Sequence, residues 1–194
     1  DHDGARVRVC PSFTQNSAQD QEVCTDNLAA LNDIVIPTSA NPTEQVKFVE
    51  FASQQTPPNM YSGGTTLLTV NPSGGNVTLP VANIPTSLGT HYIYAILEPA
   101  PADPNCRPYD LVIVQVNPPI VANAGADVEI CDGFSTTLTA SATGGNGNYS
   151  YAWSNGANSA STTVSPSPAG VYTYIVTVTD NSGNCSDMDT VQVT

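Results

Sequence analysis

The feature that most constrains this chain is a succession of short segments in which β-branched or aromatic residues alternate with polar ones. Three such segments cover residues 135–142, 148–153 and 172–179, and the residues between them are rich in Gly, Pro, Asn and Ser. Alternation with a period of two predicts strands with one buried face, and these separators are typical of turns. Strands at intervals of roughly ten residues predict an all-β sandwich of the immunoglobulin type.

The strand pattern occurs twice along the chain. A stretch that begins at a Val and ends at Cys24 has the same length as one that ends at Cys131. Further on, Tyr-x-Tyr segments beginning at Tyr92 and Tyr172 each lead to another cysteine and then to an alternating strand. An internal repeat of this kind indicates tandem modules.

The repeat places the module boundaries. We expect one immunoglobulin-like sandwich over residues 11–117 and a second sandwich over residues 118–194, joined by a semi-rigid Pro118-Pro119 connection. Residues 5–9 match the last strand of each module. Residues 1–10 are therefore expected to be the last strand of a preceding module or an assembly strand.

The five cysteines favour disulfides over a zinc site, because no C-x-x-C pair is present and no histidine lies at ligand spacing. Disulfides indicate an oxidising compartment. The repeat register predicts two pairs, Cys24–Cys106 and Cys131–Cys185, each closing one module. The second pair would close a loop of roughly 50 residues, which stabilises a domain by about 4 kcal/mol. Cys10 is left over, either unpaired or bonded to another chain.

The charge balance excludes some classes of partner. The chain carries 17 acidic and 4 basic residues, a net charge of −13, and all four bases precede residue 118. Such a surface repels phosphate backbones and anionic lipid headgroups, so we expect no nucleic-acid partner. No apolar run approaches the about 20 residues that cross a bilayer, so we expect no direct membrane insertion. Cations remain candidate ligands.

Alternation also predicts the core of the second module. Tyr172 and Tyr174 share the buried face of their strand, and Tyr151 with Trp153 meets that face from another strand. A competing interpretation takes the aromatic residues around Trp153 as a platform for a sugar ring. It is weaker because a small module would then lose the large side chains of its core.

Three segments of the second module carry a family resemblance: residues 124–131 (AGADVEIC), 151–156 (YAWSNG) and 172–180 (YTYIVTVTD). They resemble the PKD-like and immunoglobulin-like tandem repeats of Bacteroidota cell-surface adhesins and type IX secretion cargo. The usual Gly-Asp-Gly after the Trp strand reads Ser-Asn-Gly here, so the second module is PKD-like only. The resemblance implies export to the cell surface or medium and an adhesive or spacer role. Asp189-Thr190-Val191 also resembles an O-glycan attachment site, which makes Thr190 a candidate for glycosylation.

The residues do not predict an enzyme. Hydrolysis needs a nucleophile with a base, or two carboxylates at a set distance, and the two histidines, His2 and His91, adjoin no Gly-x-Ser-x-Gly elbow. We expect both histidines to be exposed or at a strand edge. Calcium is the one cofactor that the acidic residues suggest, since hard cations bind clustered oxygens. No EF-hand spacing is present, and ordinary turn residues are the simpler interpretation. The candidate calcium ligands are Asp127, Asp132, Asp180, Asp187 and Asp189.

Three functions fit the sequence. The leading hypothesis is an extracellular structural or adhesive repeat of a large surface adhesin or fibre, whose partners are neighbouring modules or identical subunits. An alternative is a carbohydrate-binding accessory module of a secreted hydrolase, with surface glycans as partners. The third is a filament subunit that assembles by strand complementation through residues 1–9.

Overall fold

The structure is a computed structural model of the chain. It describes residues 12–13, 20–56, 59–98, 108–182 and 185–194. The predicted strand at residues 1–10 therefore lies outside the described residues, as do Cys10, Cys106 and His2. No helix in the described ranges is long and apolar enough to cross a bilayer.

The described residues confirm the all-β prediction. Apart from three single-turn 3-10 segments, the regular elements are strands. Their bounds are β1 Gln21–Cys24, β2 Ile34–Pro37, β3 Gln45–Phe51, β4 Thr65–Val70, β5 Asn76–Leu79, β6 Gly89–Glu98, β7 Tyr109–Asn117, β8 Val121–Asn123, β9 Thr136–Thr139, β10 Ser141–Thr143, β11 Tyr149–Trp153, β12 Ser161–Val164, β13 Tyr172–Asp180 and β14 Ser186–Val193.

The strands form two compact units. Unit 1 takes Asp1–Gln21 and Leu31–Gln115, and unit 2 takes Glu22–Ala30 and Val116–Thr194. The sheet orders are β1-β7-β6-β3-β4 and β2-β5 for the earlier strands, and β11-β13-β14, β8-β10 and β9-β12 for the later ones. This division differs from the predicted module over residues 11–117, because Glu22–Ala30 is grouped with the later strands, although β1 is also the edge strand of the first sheet.

Unit 1 buries both faces of β3 and β6. On one face Phe48 and Ile93 are at most 1% exposed. On the other, which we call the outer face of unit 1, Val49 pairs with Tyr94 and both are buried as well. The connection from β3 to β4 packs on this outer face, where Met60 joins Val49, Tyr94 and Ile96 in a separate apolar cluster. A long β3–β4 connection thus gives unit 1 a second core.

Unit 2 has one core, between the sheet β11-β13-β14 and its other strand pairs. Its members include Leu138 of β9, Trp153 of β11, Val176 of β13 and Val191 of β14. The turn after β10 depends on glycine: Gly144 has φ +81°, and a Cβ there would lie 1.9 Å from the carbonyl oxygen of Pro119. Only glycine permits this close approach of two backbone segments.

Candidate functional site

The main covalent feature of unit 2 is a disulfide between Cys24 and Cys185. The two Cα atoms are 5.7 Å apart, and the cysteines are separated by 161 residues in sequence. Both side chains lie in the core of unit 2, with exposures of 0% and 2%. The bond therefore ties the segment that contains β1 to the residue that directly precedes β14.

This bond corrects the sequence-based pairing. The pair Cys131–Cys185 is wrong, since Cys131 is a free, exposed cysteine. The pair Cys24–Cys106 is also wrong, because Cys24 is bonded to Cys185. The repeat register assumed that each cysteine closes its own contiguous module, whereas Glu22–Ala30 folds with unit 2. Free Cys131 lines a shallow pocket with Asp132, Pro168, Tyr172 and Thr194.

Three of the candidate calcium ligands bind backbone N–H groups instead. Ala122 N donates to Asp187 Oδ2 at 2.9 Å, and Ala124 N donates to Asp189 Oδ2 at 2.8 Å. These two aspartates of β14 thereby bind Ala122 within β8 and Ala124 just after its end. Gln192 N donates in the same way to Asp127 Oδ1 at 2.8 Å.

These hydrogen bonds have an electrostatic consequence at Asp189. The backbone N–H of Ala124, and secondly that of Thr190, lower the pKa of the Asp189 carboxyl below its ordinary value. Hydrogen bonds from N–H groups stabilise the charged form of a carboxylate. Asp189 is thus held ionised as a strand-positioning group.

Asp180 differs from the other carboxylates because it is buried, with 2% exposure. Ser182 Oγ donates to its Oδ1 at 2.5 Å, while its Oδ2 has no hydrogen-bond partner. An oxygen of Asp180 and the sulfurs of Cys24 and Cys185 lie within 4.8 Å of one another. Among the described residues this is the one group of three potential metal ligands, and its two sulfurs are bonded to each other.

The five aspartates predicted to bind calcium thus do not converge in the described structure. Asp132 is exposed beside the pocket of Cys131, and Asp127, Asp187 and Asp189 are engaged with backbone groups. A calcium site stays a prediction.

The aromatic residues of unit 2 lie mainly on the core side of their strands. Trp153 is 4% exposed, and its Nε1 donates to the carbonyl of Ser159 at 3.0 Å. Tyr151 and Tyr174 are partly buried against the core cluster. Tyr172 is half-buried, and its hydroxyl donates to the carbonyl of Pro168 at 2.8 Å. These contacts disfavour a flat sugar-stacking platform centred on Trp153.

The opposite side of the sheet β11-β13-β14, which we call the outer face of unit 2, is exposed and uncharged. Thr190, the candidate glycosylation site, lies there directly across from Ile175. Ile175 is 41% exposed and Met188 is 66% exposed. A modifying enzyme could reach Thr190 without unfolding the sheet.

His91 is a residue that sequence reasoning placed at a strand edge and left unexplained. It is 6% exposed. Its Nδ1 lies 2.5 Å from Glu50 Oε1, and its Nε2 donates to the carbonyl of Ser87 at 2.8 Å. Its position two residues before Ile93, in phase with the buried residues of β6, was the signal that could have revealed its burial.

Comparison with known proteins identifies the fold. No protein-family model matches the sequence, and no curated protein matches it. Among solved structures, a C-terminal 282-residue fragment of intimin, in complex with the intimin-binding domain of the translocated intimin receptor, aligns with a TM-score of 0.55 and 14% identity. A three-Ig fragment of titin aligns with a TM-score of 0.50 and 8% identity.

The coverage of these alignments is unequal. They include 92% and 96% of this chain, but the chain spans only 63% and 65% of the intimin and titin fragments. Fibronectin(III)-like modules of Clostridium thermocellum CbhA align over 93% of this chain and 92% of theirs, with a TM-score of 0.39 and 14% identity. Likeness at these identities shows the fold alone. The chain consists of two tandem immunoglobulin-like β-sandwich modules, as predicted.

Proposed function

We propose that this chain is a non-catalytic structural and adhesive segment of an extracellular protein. The proposal rests mainly on the hydrogen bonds that the polar side chains of the chain make. Asp127, Asp187 and Asp189 accept hydrogen bonds from backbone N–H groups, and His91 is buried between two acceptors. Such groups position strands, whereas catalysis requires an acid, base or nucleophile that can meet a substrate.

Two further observations support an extracellular location. The buried Cys24–Cys185 disulfide is of the kind that forms and persists in oxidising compartments. The net charge of −13 keeps a long exported protein soluble. Together with the resemblance of residues 124–180 to PKD-like repeats, they favour a parent protein of the Bacteroidota surface-adhesin or type IX cargo class.

The intimin fragment offers a precedent for how a chain of this fold is used. That fragment is bound to the intimin-binding domain of its receptor. We therefore include protein surfaces, together with glycans, among the partners to be tested for this chain.

Retention under flow tests the adhesive part of the proposal. Beads that carry the full chain are passed over glass, polystyrene, glycan-coated and protein-coated surfaces, beside beads that carry an unrelated protein of equal charge. We expect the chain to increase retention on at least one surface. Equal retention on every surface would contradict an adhesive role.

Substrate turnover tests the non-catalytic part. The same chain is incubated with panels of glycan, ester and peptide substrates. We expect no turnover above the blank reaction, because the polar groups described above are occupied by structural hydrogen bonds. Turnover that is lost on heat denaturation would contradict the proposal.

A further inference from the structure

The connectivity of the Cys24–Cys185 disulfide determines how the chain would carry a stretching force. The bonded cysteines are 161 residues apart, and Leu31–Gln115 of unit 1 lies entirely between them. When the chain is stretched between a point before Cys24 and a point after Cys185, two covalent paths connect these points. One is the polypeptide between the cysteines, and the other is the single sulfur–sulfur bond. The shorter covalent route becomes taut first, and the polypeptide between the cysteines then bears no tension.

We propose that the Cys24–Cys185 bond is a covalent load bypass, which keeps the chain between these residues from being drawn out while its ends are pulled. The bypass deepens the structural role proposed above and rests on that role for its biological use. Tension along the backbone reaches only the residues before Cys24, which include residues 21–23 of β1, and those after Cys185, which include β14.

The surroundings of the bond suit this role. Cys24 and Cys185 are 0% and 2% exposed and lie in one core cluster with Trp153 and Val178. Thiol–disulfide exchange requires a thiolate to reach a sulfur atom. The core of unit 2 must therefore open before a reductant can reach and reduce the bond.

The bypass also gives unit 1 a distinct position in a loaded protein. Its outer-face cluster of Val49, Met60, Tyr94 and Ile96 rests on the connection between β3 and β4, and no part of that cluster lies on the taut route. A binding surface formed by residues 31–115 would lie on backbone that carries no tension while the parent protein is pulled.

Single-molecule stretching of the full chain, held by its two ends, tests the proposal. The oxidised chain is expected to extend only by the residues outside the disulfide loop. The fully reduced chain is expected to extend further by the 161 residues of that loop, which at about 3.5 Å per residue is about 560 Å. Equal extension of the oxidised and reduced chains would overturn the bypass.

Matched variants show which cysteines matter. Cys24→Ala combined with Cys185→Ala should extend further than the wild-type chain without any reductant. Cys131→Ala, which removes the exposed free cysteine, should extend as the wild-type chain does. The reverse pattern would overturn the assignment.

A second measurement keeps the test decisive if the double variant fails to fold. The oxidised wild-type chain is held at a constant force that has already pulled β14 out of the core of unit 2, so that the bond is accessible, and a dithiol is added. One thiolate of the dithiol attacks a sulfur of the bond, the other sulfur leaves as a thiolate, and the second thiol of the reagent completes its own disulfide. A single step of about 560 Å should follow each cut, from 161 residues at about 3.5 Å each. Absence of any step would overturn the bypass.

The outcomes separate this inference from the adhesive proposal. A chain that shows the bypass but no retention under flow would contradict adhesion alone. A chain that is retained under flow but unravels fully when oxidised would contradict the bypass alone.

Discussion

The two units differ in whether the outer face of the sheet is covered, and the exposures of the two methionines show this difference. Each unit contains a sheet in which three strands have the same relative order. In unit 1 this order is β7-β6-β3, and in unit 2 it is β14-β13-β11. Met60 packs on the outer face of the first sheet and is 0% exposed. Met188 projects from the outer face of the second and is 66% exposed.

The length of one connection explains this difference. In unit 1 the residues between β3 and β4 reach over the sheet, where the hydroxyl of Tyr94 accepts a hydrogen bond from Gln55 N and donates to Gln55 O. In unit 2 the chain after β11 turns back at once, with Trp153 N donating to the carbonyl of Ala157. An outer sheet face becomes a second core only where a long connection covers it.

The two Tyr-x-Tyr motifs also differ in the sheet face on which their tyrosines lie. Tyr94 lies on the outer face of its sheet beneath this connection, whereas Tyr174 faces the inner core with Val176 and Val178. A shift of one residue along a strand moves every side chain to the other face. The same motif therefore serves opposite sides of the two sheets.

The largest effect is expected from the disulfide of unit 2. Replacing Cys24 and Cys185 by alanine removes the closure of a 161-residue loop, which by chain entropy costs about 5 kcal/mol. Trp153 is the single tryptophan and reports on the core of unit 2. We expect its fluorescence transition in denaturant to move to lower concentration, with Cys131→Ala as the unchanged control. An unmoved transition would contradict the assignment.

Replacing each methionine tests whether the outer face of unit 1 is packed and the outer face of unit 2 is exposed to solvent. Met60→Ala should destabilise unit 1 by about 3 kcal/mol, because it leaves a cavity in a closed cluster. Met188→Ala should change stability by less than about 0.5 kcal/mol, since its side chain is mostly in solvent. Chemical denaturation of the two variants measures both values. Equal losses would refute the difference drawn between the faces.

Alkaline titration tests the second core of unit 1. Burial, as the largest cause, raises the pKa of the Tyr94 hydroxyl above its ordinary value near 10, and nearby Tyr109 acts in the same direction. A raised pKa in the folded state means stability that is present below the ordinary pKa and lost as pH rises through the folded one. We expect unit 1 to lose stability above about pH 10. Circular dichroism against pH measures this loss.

Tyr94→Phe is the matched variant for that titration. It should lower stability at neutral pH by about 1 kcal/mol, through the lost contacts with Gln55. It should also remove part of the alkaline loss. An alkaline profile identical to that of the wild-type chain would show that Tyr94 is not the group responsible.

A smaller effect is expected from the carboxylate that holds Ala124 in unit 2. The pKa of Asp189 is lowered in the folded state, so its contribution is present above its ordinary pKa and is lost as pH falls through the folded one. Asp189→Asn should cost less than about 1 kcal/mol at neutral pH, because the group is partly exposed. Acid denaturation of the variant should be correspondingly less steep. A larger loss at low pH than at neutral pH would contradict this role.

The smallest effect is expected from calcium. Asp127, Asp187 and Asp189 already accept backbone hydrogen bonds, so binding a cation through them would require breaking those bonds. We expect no measurable heat in a calorimetric titration and no shift of the melting temperature. Saturable heat that disappears in Asp187→Asn would instead support the calcium prediction.

Sequence reasoning reached the strands and the all-β class because their signals are local. The alternation in residues 172–179 placed Val176 and Val178 on one face of a strand, and both are buried in β13. The same reasoning missed the burial of His91, since a polar residue in a core phase reveals its partners only when Glu50 and Ser87 are brought to it.

The sequence by itself therefore determined the strand periodicity, the turns and the repeated order of elements, because each depends on neighbouring residues. The tertiary structure decided which cysteines pair and which faces are covered. Cys24 meets Cys185 across 161 residues because Glu22–Ala30 folds with the later strands. Met60 is buried and Met188 is not because the β3–β4 connection packs over its sheet, whereas the chain after β11 turns back at once. Contacts between residues so far apart leave no local signal in the sequence.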